Sequence, residues 1–258
     1  MAPGPRVGVV GAGGRMGRTV CDAVCGDQEL HLVAAVDPQH AGEEVAGGVR
    51  VESELAALVD AGVDVVVDFT IAPAARVTLP FLAANGIHAV VGTTGLDDSD
   101  LTAVREAFTS SNCLIAANFA IGAVLMMRFA ELAAPFFETA EVIELHHDTK
   151  RDAPSGTAMT TIARMAAASD RWAPDPTEDE VVPGARGGRT HGIPVHSVRL
   201  RGVVAHQEVL LGTTGQTLTI RHDSYDRASF MPGVLLATKN VAGLSERVTL
   251  GIESLLGV

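Results

Sequence analysis

The fold is decided by residues 6–17, RVGVVGAGGRMG. The first five have the apolar pattern of a short buried strand, and a helical pattern follows from Arg15 to about Val24. Glycines at positions 11, 14 and 17 between a strand and a helix are typical of a dinucleotide-binding βαβ unit. The first glycine permits the tight turn, the second lets the backbone approach a pyrophosphate, and the third permits close packing of the helix on the strand.

An acidic residue, Asp37, ends the next predicted strand, residues 32–36. Its carboxylate is suited to accept hydrogen bonds from the adenosine ribose, and it favours NADH because it repels the 2′-phosphate of NADPH. Arg15 acts in the opposite sense, since from the loop it can reach a phosphate. We therefore expect NADH to be preferred or both cofactors to be accepted. The alternative is a glycine-rich turn that binds no ligand.

Apolar runs of four to six residues alternate with helical stretches as far as residue 117, which predicts βαβ units and a parallel sheet. The further strands are predicted at residues 63–68, 88–91 and 113–117. Helices are predicted at residues 53–59 with Ser53 as N-cap, at 73–85 with Gly86 in the C′ position, and at 98–109. Residues 38–51 are predicted to form a loop.

The pattern changes after residue 118, where a long helix is predicted at residues 121–137. A strand at 141–145, a helix ending near 168, a loop at 170–192 and three strands at 195–201, 205–212 and 216–222 follow. Successive strands without helices between them indicate a second α+β domain with a mixed or antiparallel sheet. The chain is thus an α/β protein with a Rossmann-like domain at residues 1–119 and 230–258, and a second domain at 120–229. A helix at 229–241 and the segment 248–258 are expected to belong to the first domain.

Composition limits the function. The 258 residues are 47% hydrophobic, enough for a sizeable core. Nineteen basic and 31 acidic residues give a net charge of −12, which disfavours binding to nucleic acids and to anionic membranes. No apolar run approaches the roughly 18 residues that span a bilayer, no secretory signal is visible, and three cysteines cannot form a disulfide framework. We expect a soluble cytoplasmic protein.

Further candidate cofactor contacts follow the fourth and fifth predicted strands, at the sheet edge where open parallel sheets bind ligands. Their backbone and side chains could contact the nicotinamide ribose and amide, but ordinary turn chemistry explains the same residues equally well. The residues are Gly92, Thr93, Thr94, Ala116, Ala117, Asn118 and Phe119.

Cationic and titratable residues are concentrated at residues 146–157. His146 and His147 end a strand, Lys150 follows closely, and Gly156 and Thr157 open a helix whose N-terminus offers backbone N–H groups. This combination suits a small substrate bearing carboxylates. Lys150 could protonate a carbanion or enamine formed by hydride addition, and a neighbouring histidine could exchange protons near neutral pH. The alternative is a solvated turn.

No metal site is expected, because neither Cys nor Glu stands at ligand spacing near the histidine pair. The three cysteines, Cys21, Cys25 and Cys113, are predicted to be small apolar core residues.

Together these motifs carry a family resemblance. Residues 144–158, ELHHDTKRDAPSGTA, are the most specific of them. With residues 7–17, 67–70, 92–95 and 117–122, and with shorter matches at 183–187, 192–196, 205–208 and 221–224, the chain resembles the dihydrodipicolinate reductase (4-hydroxy-tetrahydrodipicolinate reductase) family over nearly its whole length.

The resemblance implies a reductase of the diaminopimelate route to lysine, which passes hydride from NADH or NADPH to the ring of a small dicarboxylate with loss of water. It implies that His146 is a proton donor or acceptor, that Lys150 is the general acid, and that His147, Gly156 and Thr157 bind the substrate carboxylates. It also implies a homotetramer formed through the sheet of the second domain, and domain closure about hinges near residues 119 and 229. The cofactor would contact Gly11, Ala12, Gly13, Gly14, Arg15, Met16, Asp37, Gly92, Thr93, Thr94, Ala116, Ala117, Asn118 and Phe119.

Three positions depart from the family pattern. Some members have Arg where this chain has Pro38, and some have a basic residue where it has Ile71. Both departures weaken the case for strict use of NADPH. Asp148, between the histidine pair and Lys150, lowers the local positive charge.

Two other functions stay open. A dehydrogenase of the aspartate-semialdehyde type needs a nucleophilic cysteine near the nicotinamide, and Cys113 is poorly placed for it because it starts a predicted strand. A non-catalytic NAD-sensing module would not need the cationic cluster at residues 146–157.

Overall fold

The chain leaves one structural unit and later returns to it. The computed structural model describes residues 4–258. One unit extends to Ala120 and resumes at Phe230–Val258, and the other is Ile121–Ser229. These bounds lie within one residue of the domain bounds that the sequence suggests.

Strands and helices alternate in the first half of the chain. In the second half, β9 to β12 follow one another without helices between them. Both patterns agree with the sequence prediction. In residues 4–258 the strands are β1 (Arg6–Val10), β2 (His31–Val36), β3 (Glu44–Val45), β4 (Val49–Glu52), β5 (Val65–Asp68), β6 (His88–Val91), β7 (Cys113–Ile115), β8 (Thr139–His146), β9 (Gly188–Thr190), β10 (Ile193–Arg199), β11 (Ala205–Thr213), β12 (Gln216–Ser224) and β13 (Val248–Leu250). The helices are α1 (Arg15–Gly26), α2 (Ala56–Asp60), α3 (Ala72–Ala84), α4 (Asp98–Ala107), α5 (Ile121–Ala133), α6 (Gly156–Ala168), α7 (Met231–Asn240) and α8 (Glu253–Leu256). Short 3-10 turns occur at Ala46–Gly48, Ala134–Phe136, Arg227–Phe230 and Val241–Gly243.

The first unit is built on a sheet in the order β13-β7-β6-β5-β1-β2-β4-β3. All neighbouring strands are parallel except β3, which pairs antiparallel with β4. After β1 the chain adds strands on one side, and from β5 onward on the other, so the strand order reverses between β1 and β5. In an open parallel sheet, ligands bind at the carboxyl ends of the strands at such a reversal. The Rossmann-like fold is therefore confirmed.

Two predictions in the first unit are wrong. Residues 38–51 are not a simple loop, since they contain β3, a 3-10 turn and most of β4. Only Val51 of β4 is buried, because this strand lies near the sheet edge, so its apolar signal is weak. The helix expected at 53–59 begins at Ala56, and its N-cap is Leu55 rather than Ser53. Gly86 is confirmed in the C′ position, with a φ of +68° that favours glycine.

The second unit is built on a mixed sheet in the order β12-β11-β8-β10-β9, with only β8 and β10 parallel. Helix α6 packs on the face of β8 that carries Ala140 and Val142, and α5 packs against α6 and β12. Ala130, Ile162 and Met165 from this layer are buried in the shared core. Alternation along β8 places Glu144 and His146 on the same face as Ala140 and Val142. The predicted mixed sheet is confirmed.

Two boundaries in the second unit differ from the expectation. The helix starting at Ile121 ends at Ala133 instead of residue 137, and a 3-10 turn with Pro135 follows it. Proline lacks the N–H that would continue the helix. The loop at 170–192 contains the short strand β9. Near the end of the sequence, β13 pairs parallel with β7, so the prediction that residues 248–258 return to the first unit is confirmed.

The cysteines are not all alike. Cys21 and Cys113 are buried, as expected for small apolar core residues, but Cys25 is exposed, so that part of the prediction is wrong. Cys25 lies in the last turn of α1, where the helix presents a side chain to solvent. Among residues 4–258, no helix is long and apolar enough to cross a membrane.

Candidate active site

The glycine loop after β1 leaves the N-terminus of α1 open. Gly11 has a φ of +77°, which favours glycine, and a Cβ at Gly17 would lie 2.0 Å from the carbonyl oxygen of Gly11. The N-cap of α1 is Gly14, which has no side chain to cap the helix, and the first turn of α1 contains no acidic residue. A helix N-terminus without a side-chain cap offers backbone N–H groups and a positive dipole end, which fit a pyrophosphate. The loop therefore fits the diphosphate of a dinucleotide.

Asp37 is already held by the glycine loop. Its carboxylate accepts hydrogen bonds from the N–H groups of Gly13, at 3.1 Å, and Gln39, at 3.0 Å, and the residue is 9% exposed. The ring of His40 covers Gly13, since a Cβ there would lie 2.1 Å from its Cγ. His40 Nδ1 lies 3.1 Å from Asp37 Oδ2. Sequence reasoning did not single out His40, which stands three residues beyond the acidic residue.

The carboxyl ends of β5 and β6 are joined through a buried carboxylate, Asp68. Its Oδ1 accepts hydrogen bonds from Thr70 N (2.9 Å), Thr70 Oγ1 (2.7 Å) and Thr93 Oγ1 (2.8 Å). Burial raises the pKa of Asp68, and the hydrogen bonds from the two threonines oppose that rise. Thr93 is itself buried, so its hydroxyl is committed to Asp68.

Aromatic packing holds the next two segments. A Cβ at Gly92 would lie 2.1 Å from Cε1 of Phe69, and the rings of Phe69 and Phe119 are 5.7 Å apart. The Asn118 side chain accepts the N–H of Ala120 at 2.9 Å. Of the residues predicted here, Ala116 and Phe119 are buried, while Thr94 and Ala117 are exposed. All of these segments follow strands of one parallel sheet at its carboxyl edge.

In the second unit, a wholly buried carboxylate lies beside the predicted catalytic histidine. Glu144 is 0% exposed, and its Oε2 is 2.5 Å from His146 Nδ1. Arg199, on the parallel strand β10, donates to both carboxylate oxygens, with Nη1 and Nη2 each at 2.9 Å. This two-point pair is the charged, fork-shaped contact that arginine makes with carboxylates.

Charges set the protonation of this pair. Burial works to raise the pKa of Glu144, but hydrogen bonds from Arg199, Ser197 and His146 outweigh it, and the pKa is lowered. Burial lowers the pKa of His146, and the positive charges of Lys150 and Arg199 lower it further, against the opposing effect of Glu144. At neutral pH, Glu144 is therefore ionised and His146 is neutral.

Lys150 and His147 make local contacts in the loop between β8 and α6. Lys150 Nζ donates to both carboxylate oxygens of Asp152, at 2.8 and 2.7 Å, and the pKa of Asp152 is lowered chiefly by this contact. The Lys150 side chain is 19% exposed and that of Asp152 is 67% exposed. His147 Nδ1 lies 2.7 Å from Thr149 Oγ1 at the surface. The ammonium group therefore has a partner that sits largely in water.

The N-terminus of α6 begins beside the same buried carboxylate. Ser155 is its N-cap and accepts the N–H of Ala158 at 3.2 Å, while the Ser155 N–H donates to Glu144 Oε1 at 3.2 Å. A Cβ at Gly156 would meet nothing within 4 Å, so the space over the first turn is open. An anion can approach this helix end closely.

The structure thus gathers the predicted residues into two groups, one in each unit. The dinucleotide candidates lie along one sheet edge, and His146, His147, Lys150, Gly156 and Thr157 lie between the end of β8 and the start of α6. Sequence reasoning missed Glu144 and Arg199. A signal for Glu144 was available, since it stands two residues before His146 in a strand, where alternate residues share a face.

Cys113 does not support the aspartate-semialdehyde alternative. It starts β7, is buried, and its thiol pKa is raised by burial. A nucleophilic cysteine needs an accessible and readily ionised thiol, and Cys113 has neither property.

A dinucleotide-binding sheet in one unit, with a separate α+β unit that carries a cationic cluster, defines an NAD(P)-dependent oxidoreductase. Residues 5–119 match the family "Dihydrodipicolinate reductase, N-terminus", and residues 122–256 match "Dihydrodipicolinate reductase, C-terminus". The chain belongs to the dihydrodipicolinate reductase family.

Individual relatives agree with this assignment. A 4-hydroxy-tetrahydrodipicolinate reductase from Mycobacterium sp. (strain KMS) is 52% identical over 97% of this chain and 98% of its own, and one from Nocardia farcinica is 51% identical over the same shares. A solved dipicolinate-bound dihydrodipicolinate reductase from Paenisporosarcina sp. TG-14 is 38% identical, with a TM-score of 0.89 over 97% of this chain and 99% of that one.

Proposed function

We propose that this chain reduces 4-hydroxy-tetrahydrodipicolinate to tetrahydrodipicolinate with NADH or NADPH and loss of water, in the biosynthesis of lysine through diaminopimelate. The first unit would bind the cofactor and the second the substrate. The names and extent of the relatives support the reaction, and the two groups of residues described above support the division of labour.

The cofactor would be held by residues at the carboxyl edge of the first sheet. Gly11–Met16 would bind the diphosphate through the open N-terminus of α1, and Asp37 would face the adenosine ribose. Gly92–Thr94 and Ala116–Phe119 would line the nicotinamide end, with Thr93, Ala116 and Phe119 contributing through the backbone because their side chains are buried. When bound, the cofactor supplies the hydride.

The substrate is a small dicarboxylate, and the N-terminus of α6 is proposed to bind one of its carboxylates. The open space over Gly156 supports this role, as do the backbone N–H groups and positive dipole end of the helix. His147 and Thr157 would complete the contacts. The Paenisporosarcina relative is a dipicolinate-bound structure, and dipicolinate has the same two carboxylates on a ring.

Protons would be handled by Lys150 and His146. The reaction takes up one hydride and one proton and releases one water. Lys150 is proposed as the general acid, since its ammonium group can release Asp152, which is mostly in water, and turn to the substrate. His146, neutral at physiological pH, would accept or return a proton beside it.

Cofactor choice is proposed to favour NADH or to accept both cofactors. The Asp37 carboxylate repels a 2′-phosphate, and positions 38 and 71 offer no cation to hold one. The cation Arg18, at the start of α1, is paired with Glu43. Arg15 is the exposed cation of the loop and supports use of NADPH as well.

We further propose a cytoplasmic homotetramer formed through the sheet of the second unit. The family resemblance supports this assembly, and the edge strand β12 exposes Leu218. Light scattering after size-exclusion chromatography tests it, because a mass near that of a single chain would contradict it.

The single observation that carries the proposed function is the 144–158 stretch, folded so that His146, Lys150 and an open helix N-terminus follow one strand. The test is the fall in NADH or NADPH absorbance when the freshly made product of the preceding synthase is added. Rapid oxidation is expected. Intact cofactor binding without any oxidation would contradict the proposal and favour a sensing module.

A further inference from the structure

One buried carboxylate, Glu144, accepts hydrogen bonds from His146, Arg199 and Ser155, and Ser197 of β10 is a further hydrogen-bond partner. Its Oε2 contacts His146 Nδ1 (2.5 Å) and Arg199 Nη1 (2.9 Å), and its Oε1 contacts Arg199 Nη2 (2.9 Å) and Ser155 N (3.2 Å). Each oxygen thus accepts at least two hydrogen bonds, and the side chain is wholly buried. Arg199 also donates from Nη2 to the carbonyl oxygen of Asp152 at 2.7 Å.

We propose that Glu144, held by Arg199, is a positioning residue that fixes the neutral ring of His146 with its proton on Nδ1 and its free electron pair on Nε2. The same carboxylate accepts the N–H of Ser155, and so it fixes the position of the start of α6 relative to the ring. This inference rests on the proposed function, because Glu144 acts only through His146, the histidine that is proposed to exchange protons.

The tautomer follows from donor and acceptor chemistry. An ionised carboxylate can only accept hydrogen bonds, so a neutral His146 must carry its proton on Nδ1 to satisfy Glu144. Nε2 then has a free electron pair and can only accept a proton until the ring becomes charged. In the neutral state, His146 is therefore a proton acceptor, and Lys150 is the donor of the two groups.

The arrangement is rigid because three segments meet at one charge. Glu144 and His146 are two residues apart on β8, Arg199 reaches across from β10, and Ser155 precedes α6. The charged groups around the ring are Glu144, Arg199 and Lys150, and Asp152 pairs with Lys150. A small displacement of Glu144 would move the ring and the helix start together.

The chain contains a matched control on the other face of β8. Glu141 contacts His196 Nε2 at 2.6 Å and Arg186 Nη2 at 2.5 Å, so it has the same two kinds of partner as Glu144. The Glu141 side chain is 28% exposed, and it lies outside the group of residues proposed to bind substrate. The variant Glu141→Asp shortens the carboxylate that contacts His196 and Arg186. It therefore measures how the loss of such contacts affects activity when His146 is left unchanged.

The first measurement is the tautomer of His146 in the full chain, from ¹⁵N shifts of labelled histidine at pH 7.5. His146→Asn assigns the signal. We expect a protonated Nδ1 and an unprotonated Nε2. A ring protonated on Nε2, or one that exchanges between the two tautomers, would overturn the proposal. This measurement does not depend on activity.

The second measurement is steady-state kinetics of Glu144→Asp, which keeps the charge for Arg199 but draws the carboxylate back from the ring. Because a misplacement of about 1 Å can cost roughly 100-fold in rate, we expect kcat to fall by about 30- to 100-fold. The dissociation constant for NADH should change by less than about twofold. Glu141→Asp should stay within about threefold of the parent enzyme in kcat.

Combination with His146→Asn separates positioning from general structural damage. If Glu144 acts through the ring, Glu144→Asp should lower kcat by less than about threefold once His146 is replaced. Full additivity of the two losses would overturn the proposal. The acid limb of kcat should also move to lower pH in Glu144→Asp, because the Glu144 hydrogen bond raises the pKa of His146 and a longer contact raises it less.

Failure of the proposed function gives a different result. If His146→Asn alone leaves kcat unchanged, the proton role of His146 is wrong, whatever tautomer the spectrum shows. If His146→Asn lowers kcat but the ring carries its proton on Nε2, the proton role stands and the positioning role of Glu144 is wrong.

Discussion

The loop at residues 11–14 and the loop at residues 147–155 each follow a strand and open a helix, but they prepare the helix N-terminus differently. The first consists of glycines and one alanine, and α1 begins with no side-chain cap. The second carries Lys150, Asp148 and Asp152, and α6 is capped by Ser155 beside a buried carboxylate.

The difference matches what each loop is proposed to bind. A diphosphate needs closely spaced backbone N–H groups and room, so the first loop works through the absence of side chains. A reacting dicarboxylate also needs protons at defined positions, so the second loop works through side chains fixed by buried charge. Substitutions in the first loop should accordingly be harmful when they add a side chain that fills space. Substitutions in the second loop should be harmful when they remove a side chain that transfers a proton or binds the substrate.

The largest effect is expected from Lys150→Ala. Proton delivery matters only as charge develops in the transition state, so kcat should fall by about 100-fold or more. The dissociation constant for NADH, measured by fluorescence titration, should change by less than about twofold. Equal losses in turnover and in cofactor binding would mean that Lys150 is a structural or binding residue, and the two loops would not differ as described.

Gly17→Ala should damage the first loop by steric conflict. The new Cβ would lie 2.0 Å from the carbonyl oxygen of Gly11 and 2.8 Å from Cα of Ala12, both of which are backbone atoms that cannot easily move. We expect the free energy of unfolding to fall by about 1–3 kcal/mol or more, with weaker NADH binding, as measured by chemical denaturation and by titration.

Gly26→Ala is the control for that change, at the other end of the same helix. A Cβ there meets nothing within 4 Å, so the free energy of unfolding of this variant should not fall, and alanine in the helix should raise it by at most about 1 kcal/mol. Equal destabilisation by the two substitutions would contradict the close approach at Gly17.

Gly156→Ala should act in the opposite manner to Gly17→Ala. The space beside Gly156 is open, so a methyl group fits, and alanine in a helix is more favourable than glycine by about 0.5–1 kcal/mol. We expect unchanged or slightly increased stability, and an increase of about tenfold in KM for the substrate because the methyl group blocks a carboxylate. An unchanged KM would show that the anion does not approach this helix end.

The smallest effect concerns the choice of cofactor. The ratio of kcat/KM for NADH to that for NADPH should be one or greater, since Asp37 repels a 2′-phosphate and Pro38 supplies no cation. Parallel steady-state assays with both cofactors measure it. A ratio strongly in favour of NADPH would mean that Arg15, or another cation of this loop, outweighs Asp37.

The sequence predicted the parallel sheet well because its strands are buried on both faces and read as continuous apolar runs, as at Val65–Asp68. It failed at β3, β4 and β9, which are short strands near the sheet edges. Only Val51 among their side chains is buried, so they carry little apolar signal. Pro135 was a visible reason to end α5 early.

The candidate residues of the second loop were predicted from their chemistry, but the charges that hold them were not. Arg199 lies 53 positions beyond His146 in the numbering, and only the parallel pairing of β8 with β10 brings it to Glu144. His40 was missed for a related reason. The ring of His40 covers Gly13 because of the conformation of the turn after Asp37. Single-sequence patterns do not contain such pairings.

The strand order of the first unit has a consequence for synthesis. The whole second unit is inserted between β7 and β13, so the edge of β7 that faces away from β6 stays unpaired until residues 248–250 have left the ribosome. Until then the nascent chain exposes an unpaired strand edge, which is a common starting point for aggregation.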